Sequence, residues 1–419
     1  MKRNSLLVLL FIFTFFACGQ KPESDSTSRI LKIGVSKAII NPALGSFIAG
    51  DQQNRRFTGV LDSLYAKAFV AFDGSSSVAL VTLDCIGLMY NDLLKVRTAL
   101  SKMDFPIPFT PESLVISSTH THSGPDVVGL WGKDFSESGV DPAYLDHLIE
   151  TITAEVLKAS ENLIAVNGRY IQTTHGEDWV RNISEEEIDR SLTSLIFDDS
   201  EGNNIATLTN FACHPTYLDA VVSEVSADYI AGFYKKMEDN LGGEHLFFQG
   251  AIGGWIQPSD KDGKHQTAIK RGAGLAEAVL KALSTEGKPL LSNEVHFRKN
   301  YVDFEVENEV WRQLAQAGIV NRDISEYVRS EVAWFGIGEA SFATHPGETA
   351  PYYSKETKKL MPDGPKFILG LGQDALGYIL KPEYFTDSTI SHSQYLTSMS
   401  LGQNSGPTLM EELKRLSEY

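Results

Sequence analysis

Residues 116–126 read ISSTHTHSGPD and set His120 and His122 two positions apart, where an apolar run gives way to a turn. Side chains at i and i+2 of an extended chain point to the same side. A strand running on through His122 therefore aims both imidazoles into one cavity before Ser123-Gly124-Pro125 turns the chain. Two ring nitrogens on one side of a strand end start a zinc site of the common kind, with three protein ligands and a water. Taken alone, the pair also reads as one hydrogen-bonded core histidine beside an exposed one.

Other stretches share this pattern. Residues 210–216 (NFACHPT) run strand-like to His214, and Pro215, which lacks an N–H, breaks the ladder at once. In residues 343–351 (ATHPGETAP), Pro346-Gly347 makes a tight turn that delivers Glu348, with His345 close enough to compete as a ligand. Residues 370–378 (GLGQDALGY) form a glycine-rich loop carrying Asp374 and Tyr378. That loop has neither the G-x-G-x-x-G nor the Walker A spacing that cradles phosphates. Asp84, closing the run VALVTLD, is placed to orient a ligand histidine through its second ring nitrogen. Each stretch also has a structural reading: a satisfied core histidine, an ordinary loop, a turn carboxylate.

The elements that must hold these residues alternate along the chain. Strands are read at Tyr65–Phe72 and at 78–84 around a turn at Asp73-Gly74, then at Leu114–Ser118, 205–212, 331–337 and 340–344. Helical spacing covers 91–100, 141–160, 227–240, 267–283 and 408–416. The second of these starts with Asp141 as N-cap and Pro142 at the first helical position. The mixture indicates an α/β (mixed α+β) fold, a single large domain over residues 29–419 in which helices flank a mixed β-sheet. No internal repeat is visible.

With 54 acidic against 37 basic residues the chain carries a net charge of −17 and no Lys/Arg stripe, which argues against nucleic-acid binding. Lys2 and Arg3 precede an apolar run over residues 6–17, too short to span a bilayer, and Ala17-Cys18 follows. This resembles a bacterial lipobox, so residues 1–17 are read as a lipoprotein signal peptide. Residues 18–28 are then a flexible tether carrying a lipidated Cys18 that anchors the protein to a membrane of the bacterial cell envelope, as a periplasmic or outer-membrane lipoprotein. Cys85 and Cys213 sit in apolar runs and read as buried free thiols, and no CxxC offers a thiolate zinc site.

In order, the fragments THTHSGP, FACHPT, PGET, LGYILKPEY and SLGQNSGPTLMEELKRL resemble the neutral/alkaline ceramidases. The similarity extends to IGVSKAIINPALG and TLDCIGL. It implies that family's catalytic-domain fold, without the C-terminal immunoglobulin-like domain. It also implies a zinc-dependent amidohydrolase that cuts the N-acyl amide bond of a ceramide-like lipid by metal-activated water. Carried over by position, Zn²⁺ falls to His120, His214, Glu348 and Tyr378. His122 becomes a catalytic residue, Arg181 in DWVRNIS stands beside the substrate, and Tyr395 in SQYLTS helps hold the carbonyl oxygen. One departure stands out: a Gly-Asp-x-Ser-Pro-Asn stretch is replaced by QGAIGGWIQPSD, with Gln257 before Pro258 and Ser259 beyond it. Backbone N–H groups at Gly253 and Gly254 remain as an anion-binding curve. Two alternatives stay open: a zinc hydrolase for a different amide or ester, and a non-catalytic envelope lipoprotein that binds lipid or glycan.

Overall fold

The computed structural model describes residues 29–184 and 187–418, so the signal peptide, Cys18 and the tether read from the sequence lie outside the described residues. The first strands follow from β-branched and aromatic runs: β1 (Lys32–Ile39), β2 (Tyr65–Phe72) and β3 (Ser77–Leu83) form an antiparallel meander. Helix α1 (Tyr90–Leu100) then carries the chain back to β4 (Leu114–Ser118), which pairs parallel to β3. Helix α2 (Pro142–Glu161) packs on this sheet, capped by Asp141 as its sequence foretells.

The same order recurs twice. Strands β5 (Asn167–Thr174), β6 (Ser191–Asp198) and β7 (Asn204–Phe211) are antiparallel, and helix α3 (Tyr229–Leu241) leads to β8 (Glu244–Gln249), parallel to β7. Helix α4 (His265–Glu286) lies against α3 at Gly232 and Gly272, where any Cβ would collide with the facing backbone. Strands β9 (Val295–Glu305), β10 (Tyr327–Ile337) and β11 (Ala340–His345) form the third meander, with helix α5 (Glu309–Gln316) between β9 and β10. Helix α6 (Pro351–Leu360) crosses to β12 (Lys366–Gly370), parallel to β11. Helices α7 (Ser393–Ser398) and α8 (Ser405–Ser417) complete the chain, and α8 packs on β9 and β10.

The mixed α/β class expected from the sequence is the one observed, but the longer strands are divided among three sheets rather than one. The sheets meet through β4, β8 and β12, around a core that includes Phe69, Phe197, Phe248, Phe335, Phe342 and Phe367. Phe342 stacks on both Phe335 and Phe367, with ring centroids 4.6 and 4.4 Å away. The repeat escapes the sequence because equivalent positions carry unrelated residues. The last paired residues of β3, β7 and β11 are Leu83, Phe211 and His345. Three positions further on stand Ile86, His214 and Glu348.

Candidate active site

Loops that follow a strand in each of the three sheets converge on one cavity of about 460 Å³. This is the geometry parallel crossovers favour, since the chain leaves each strand at its carboxyl end and turns over the sheet edge. His120 follows β4, His214 follows β7 and Glu348 follows β11. The strand does not continue through His122 as the spacing suggested: β4 ends at Ser118 and His120 takes a left-handed φ of 68°. The two imidazoles still converge, because the His120 N–H donates to the Cys85 carbonyl at 2.9 Å and the His122 N–H to that of Pro215 at 3.4 Å.

His120, His122 and His214 each offer a nitrogen within 4.8 Å of the others. Nδ1 of His120 is 2.5 Å from the Ile86 carbonyl and Nδ1 of His214 is 2.7 Å from that of Ile256. A carbonyl only accepts, so both rings carry a proton on Nδ1 and, in their neutral form, leave Nε2 bare. Both bare atoms face one carboxylate oxygen: Glu348 Oε2 is 2.9 Å from His214 Nε2 and 3.6 Å from His120 Nε2. Two imidazole lone pairs aimed at a buried carboxylate repel unless a cation lies among them. The Nε2 of His122 is a further buried atom without a partner. This donor set fits a divalent metal, with each ring fixed from behind as metal-binding histidines are.

Glu348 and Tyr378 are directly paired in a short parallel ladder formed by Glu348–Thr349 and Tyr378–Ile379. Burial pulls the Glu348 carboxyl upward, but positive charge on the His120 and His214 side, a ring proton or a metal ion, outweighs it and holds the group well below the usual carboxylate range. Burial, then Glu348, drives the Tyr378 phenol well above its ordinary value. Burial also lowers the His122 imidazole, against the opposing pull of Asp219. Tyr395, on α7, is 47% exposed at the cavity rim, its ring 6.4 Å from that of Tyr378 and 5.2 Å from Trp255. The remaining wall is largely apolar, with Val128, Leu130, Trp131, Trp311, Leu314 and Leu371 among its members.

The structure thus brings together His120, His122, His214, Glu348, Tyr378 and Tyr395. It does not bring in Arg181, which is exposed in the short strand Val180–Asn182 opposite Gln257 and is absent from the cavity wall. Asp84 orients no histidine: it accepts from the Tyr65 N–H at 3.0 Å and the Tyr234 hydroxyl at 3.3 Å, and burial raises it to about 6. The Ile86 carbonyl does that work instead, and a backbone atom leaves no trace in sequence. Nor is the Gly253 N–H free for an anion, since it donates to the Thr349 carbonyl at 2.9 Å. Asp374 is held by Arg322 and Ser330 away from the site. Cys85 and Cys213 are buried free thiols, as their apolar surroundings suggested. Asp219, which lines the cavity behind His122, was not singled out from the sequence because it lies in a loop without a motif.

Residues 32–262 match the model of a family described as neutral/alkaline non-lysosomal ceramidase, N-terminal. Over 227 residues the chain is 26% identical to neutral ceramidase A of Dictyostelium discoideum, covering 49% of this chain and 31% of that one. Over 251 residues it is 26% identical to the neutral ceramidase of Drosophila melanogaster, covering 55% and 34%. The chain therefore spans about a third of the length of these curated relatives. The crystal structure of neutral ceramidase from Pseudomonas aeruginosa superposes with a TM-score of 0.76 at 16% identity, covering 93% of this chain and 75% of that one. A ceramidase complexed with C2 matches with a TM-score of 0.75 at 15% identity, covering 93% and 76%. With more than half its length matched by the family model, this chain belongs to the neutral/alkaline non-lysosomal ceramidase family.

Proposed function

We propose that this protein is a zinc-dependent amidohydrolase that cleaves the N-acyl amide bond of ceramide-like lipids, with His120, His214, Glu348 and Tyr378 holding the metal. One observation carries the reading: bare imidazole nitrogens and a buried carboxylate share a point at the floor of an apolar-walled cavity. When bound, such an ion supplies Lewis acidity and lowers the pKa of a water to about 7. The chain's own residues account for the rest. The apolar wall takes up an acyl chain and excludes bulk water. The bare Nε2 of His122 accepts a proton from the attacking water and returns it to the departing amine nitrogen. The Tyr395 hydroxyl, at the rim, donates to the carbonyl oxygen as negative charge builds there, a contact worth about 3 kcal/mol.

The test pairs elemental analysis with cleavage of a short-chain N-acylsphingosine, for wild type and His120→Ala. The expected result is about one zinc per chain and release of the free amine, both lost in the variant. Absence of metal after incubation with zinc would overturn the mechanism. Metal uptake with cleavage only of other amides or esters would move the substrate away from ceramide.

A further inference from the structure

Behind His122, on the Nδ1 side of its ring, stands a carboxylate that no motif announces. Asp219 Oδ1 is 3.2 Å from His122 Nδ1, and its Oδ2 is 3.2 Å from Lys261 Nζ. Lys261 also reaches Gln257 Oε1 at 3.4 Å. The Asp219 backbone has a left-handed φ of 39°, a conformation that costs free energy in a residue with a Cβ and persists only where its surroundings enforce it. Arg55 supplies that enforcement, its Nη2 donating to the Asp219 carbonyl at 2.5 Å and the Val222 carbonyl at 2.9 Å. Gly50 packs so closely on the imidazole that a Cβ there would fall 2.4 Å from His122 Cγ, so the ring is fixed in place.

We infer that Asp219 is a positioning residue for His122: it holds the ring as the Nδ1–H tautomer and keeps Nε2 bare toward His120 and His214. Neutral imidazole in water prefers its proton on Nε2, so an acceptor at Nδ1 is needed to reverse that preference. The Ile86 and Ile256 carbonyls do this for His120 and His214. Asp219 differs because it is a charged side chain, held by a lysine and by strained backbone, and substitution can remove it. The inference uses the hydrolase reading only for its effect on turnover, since the tautomer exists with or without catalysis.

The experiment is nitrogen-15 NMR of histidine-labelled full-length protein, as purified and after metal removal, at one fixed pH, with His122→Gln used to assign the ring signals. Asp219→Gly removes the acceptor and Asp219→Asn keeps most of its volume; both residues tolerate a left-handed backbone. Wild type is expected to show His122 protonated on Nδ1, and Asp219→Gly to move most of the population to Nε2–H. Loss of the tautomer in Asp219→Asn as well supports the role, as does its retention there alone, because the amide carbonyl still accepts. In turnover of an N-acyl amide, Asp219→Gly should lower kcat about 10²–10⁴-fold with KM within about twofold. Nε2 protonation of His122 in wild type, or an unchanged tautomer in both variants, overturns the inference. A correct tautomer in a protein without amidase activity leaves it standing and overturns the hydrolase reading instead.

Discussion

Two strands of this molecule lead into a His-Pro dipeptide, and the two histidines have opposite fates. His214-Pro215 follows β7 and His345-Pro346 closes β11, both fully buried. At His214, Nδ1 is tied to the Ile256 carbonyl and Nε2 faces the Glu348 carboxylate in an open cavity. At His345, Nδ1 lies 3.1 Å from the Thr349 hydroxyl and Nε2 3.1 Å from that of Thr357, so both nitrogens have neutral partners in the buried interior. The repeated topology explains the difference. His345 occupies the last paired position of its crossover strand, where the other two units place Leu83 and Phe211. His214 lies three positions beyond that point, and its counterpart in the third unit is Glu348. The dipeptide alone therefore marks a strand end, and the offset from the ladder decides whether its histidine meets the core or the cavity.

The strongest way to break the comparison is to truncate both histidines. His214→Ala should lose bound metal and reduce amide cleavage to background, and its thermal midpoint should fall toward that of the metal-free wild type. His345→Ala should keep its metal and its activity per folded molecule. It should cost about 2–4 kcal/mol of stability, from a buried cavity and two hydroxyls left without their partner. Metal content, turnover and denaturant midpoint, measured side by side, decide the matter. Loss of metal in His345→Ala would mean that it, too, is a ligand.

Sequence made the strand ends legible and left the offsets hidden. Tyr65–Phe72 and Leu114–Ser118 were read with the bounds they have, because apolar β-formers are fenced by turn residues. The start of α2 was equally plain from Asp141-Pro142. Strands β1, β5, β6, β8, β9 and β12 are missing from that reading. The run VHFRKNYVDFE of β9 mixes charge and apolar residues without clean alternation, since several of its side chains stay partly exposed. At the site, the resemblance supplied His120, His214, Glu348 and Tyr378 by motif, and the structure brings these four into one cavity. It could not supply the partners that fix the rings, since two are backbone carbonyls and the third is a loop aspartate with no periodic neighbours. Arg181 shows the converse: its motif is only loosely kept, and the side chain lies outside the cavity.

A second test uses acid. Burial, helped by nearby Lys358, pushes the His345 imidazole down to about 3, against about 6.5 in an unfolded chain. Between those values the unfolded state binds a proton that the folded state refuses. Stability therefore falls as pH drops from about 6.5 toward 3, by up to about 1.4 kcal/mol per pH unit from this group, and is unaffected above that window. His345→Gln, whose amide can still bridge the two threonines, removes that contribution, so its stability should decline less steeply below pH 6.5. Other groups, among them His245, which burial also lowers to about 3, contribute the same slope to both proteins. Parallel curves for the two proteins would mean that His345 is already charged when folded, and the contrast with His214 would collapse.

The smallest effect gives the sharpest test, because it acts on one hydrogen bond. Thr349 Oγ1 donates to the Gly347 carbonyl at 3.4 Å, which leaves it to accept from His345 Nδ1; the Thr357 hydroxyl, which also faces Met410 Sδ at 3.5 Å, then gives its one hydrogen to Nε2, the stronger acceptor. Thr357→Val keeps the shape and removes that donor, baring a buried Nε2 like the one His214 presents. The expected cost is about 1–3 kcal/mol, the desolvation of one unpaired acceptor, with metal stoichiometry and turnover unchanged. A bare nitrogen creates no site here, because among the described residues no carboxylate stands within hydrogen-bond reach of it and it does not line the cavity that His214 lines, and those two conditions are what separate His214 from His345. If elemental analysis of Thr357→Val found a second metal per chain, an accessible imidazole lone pair would suffice by itself. The role given to Glu348 in defining the site would then be wrong.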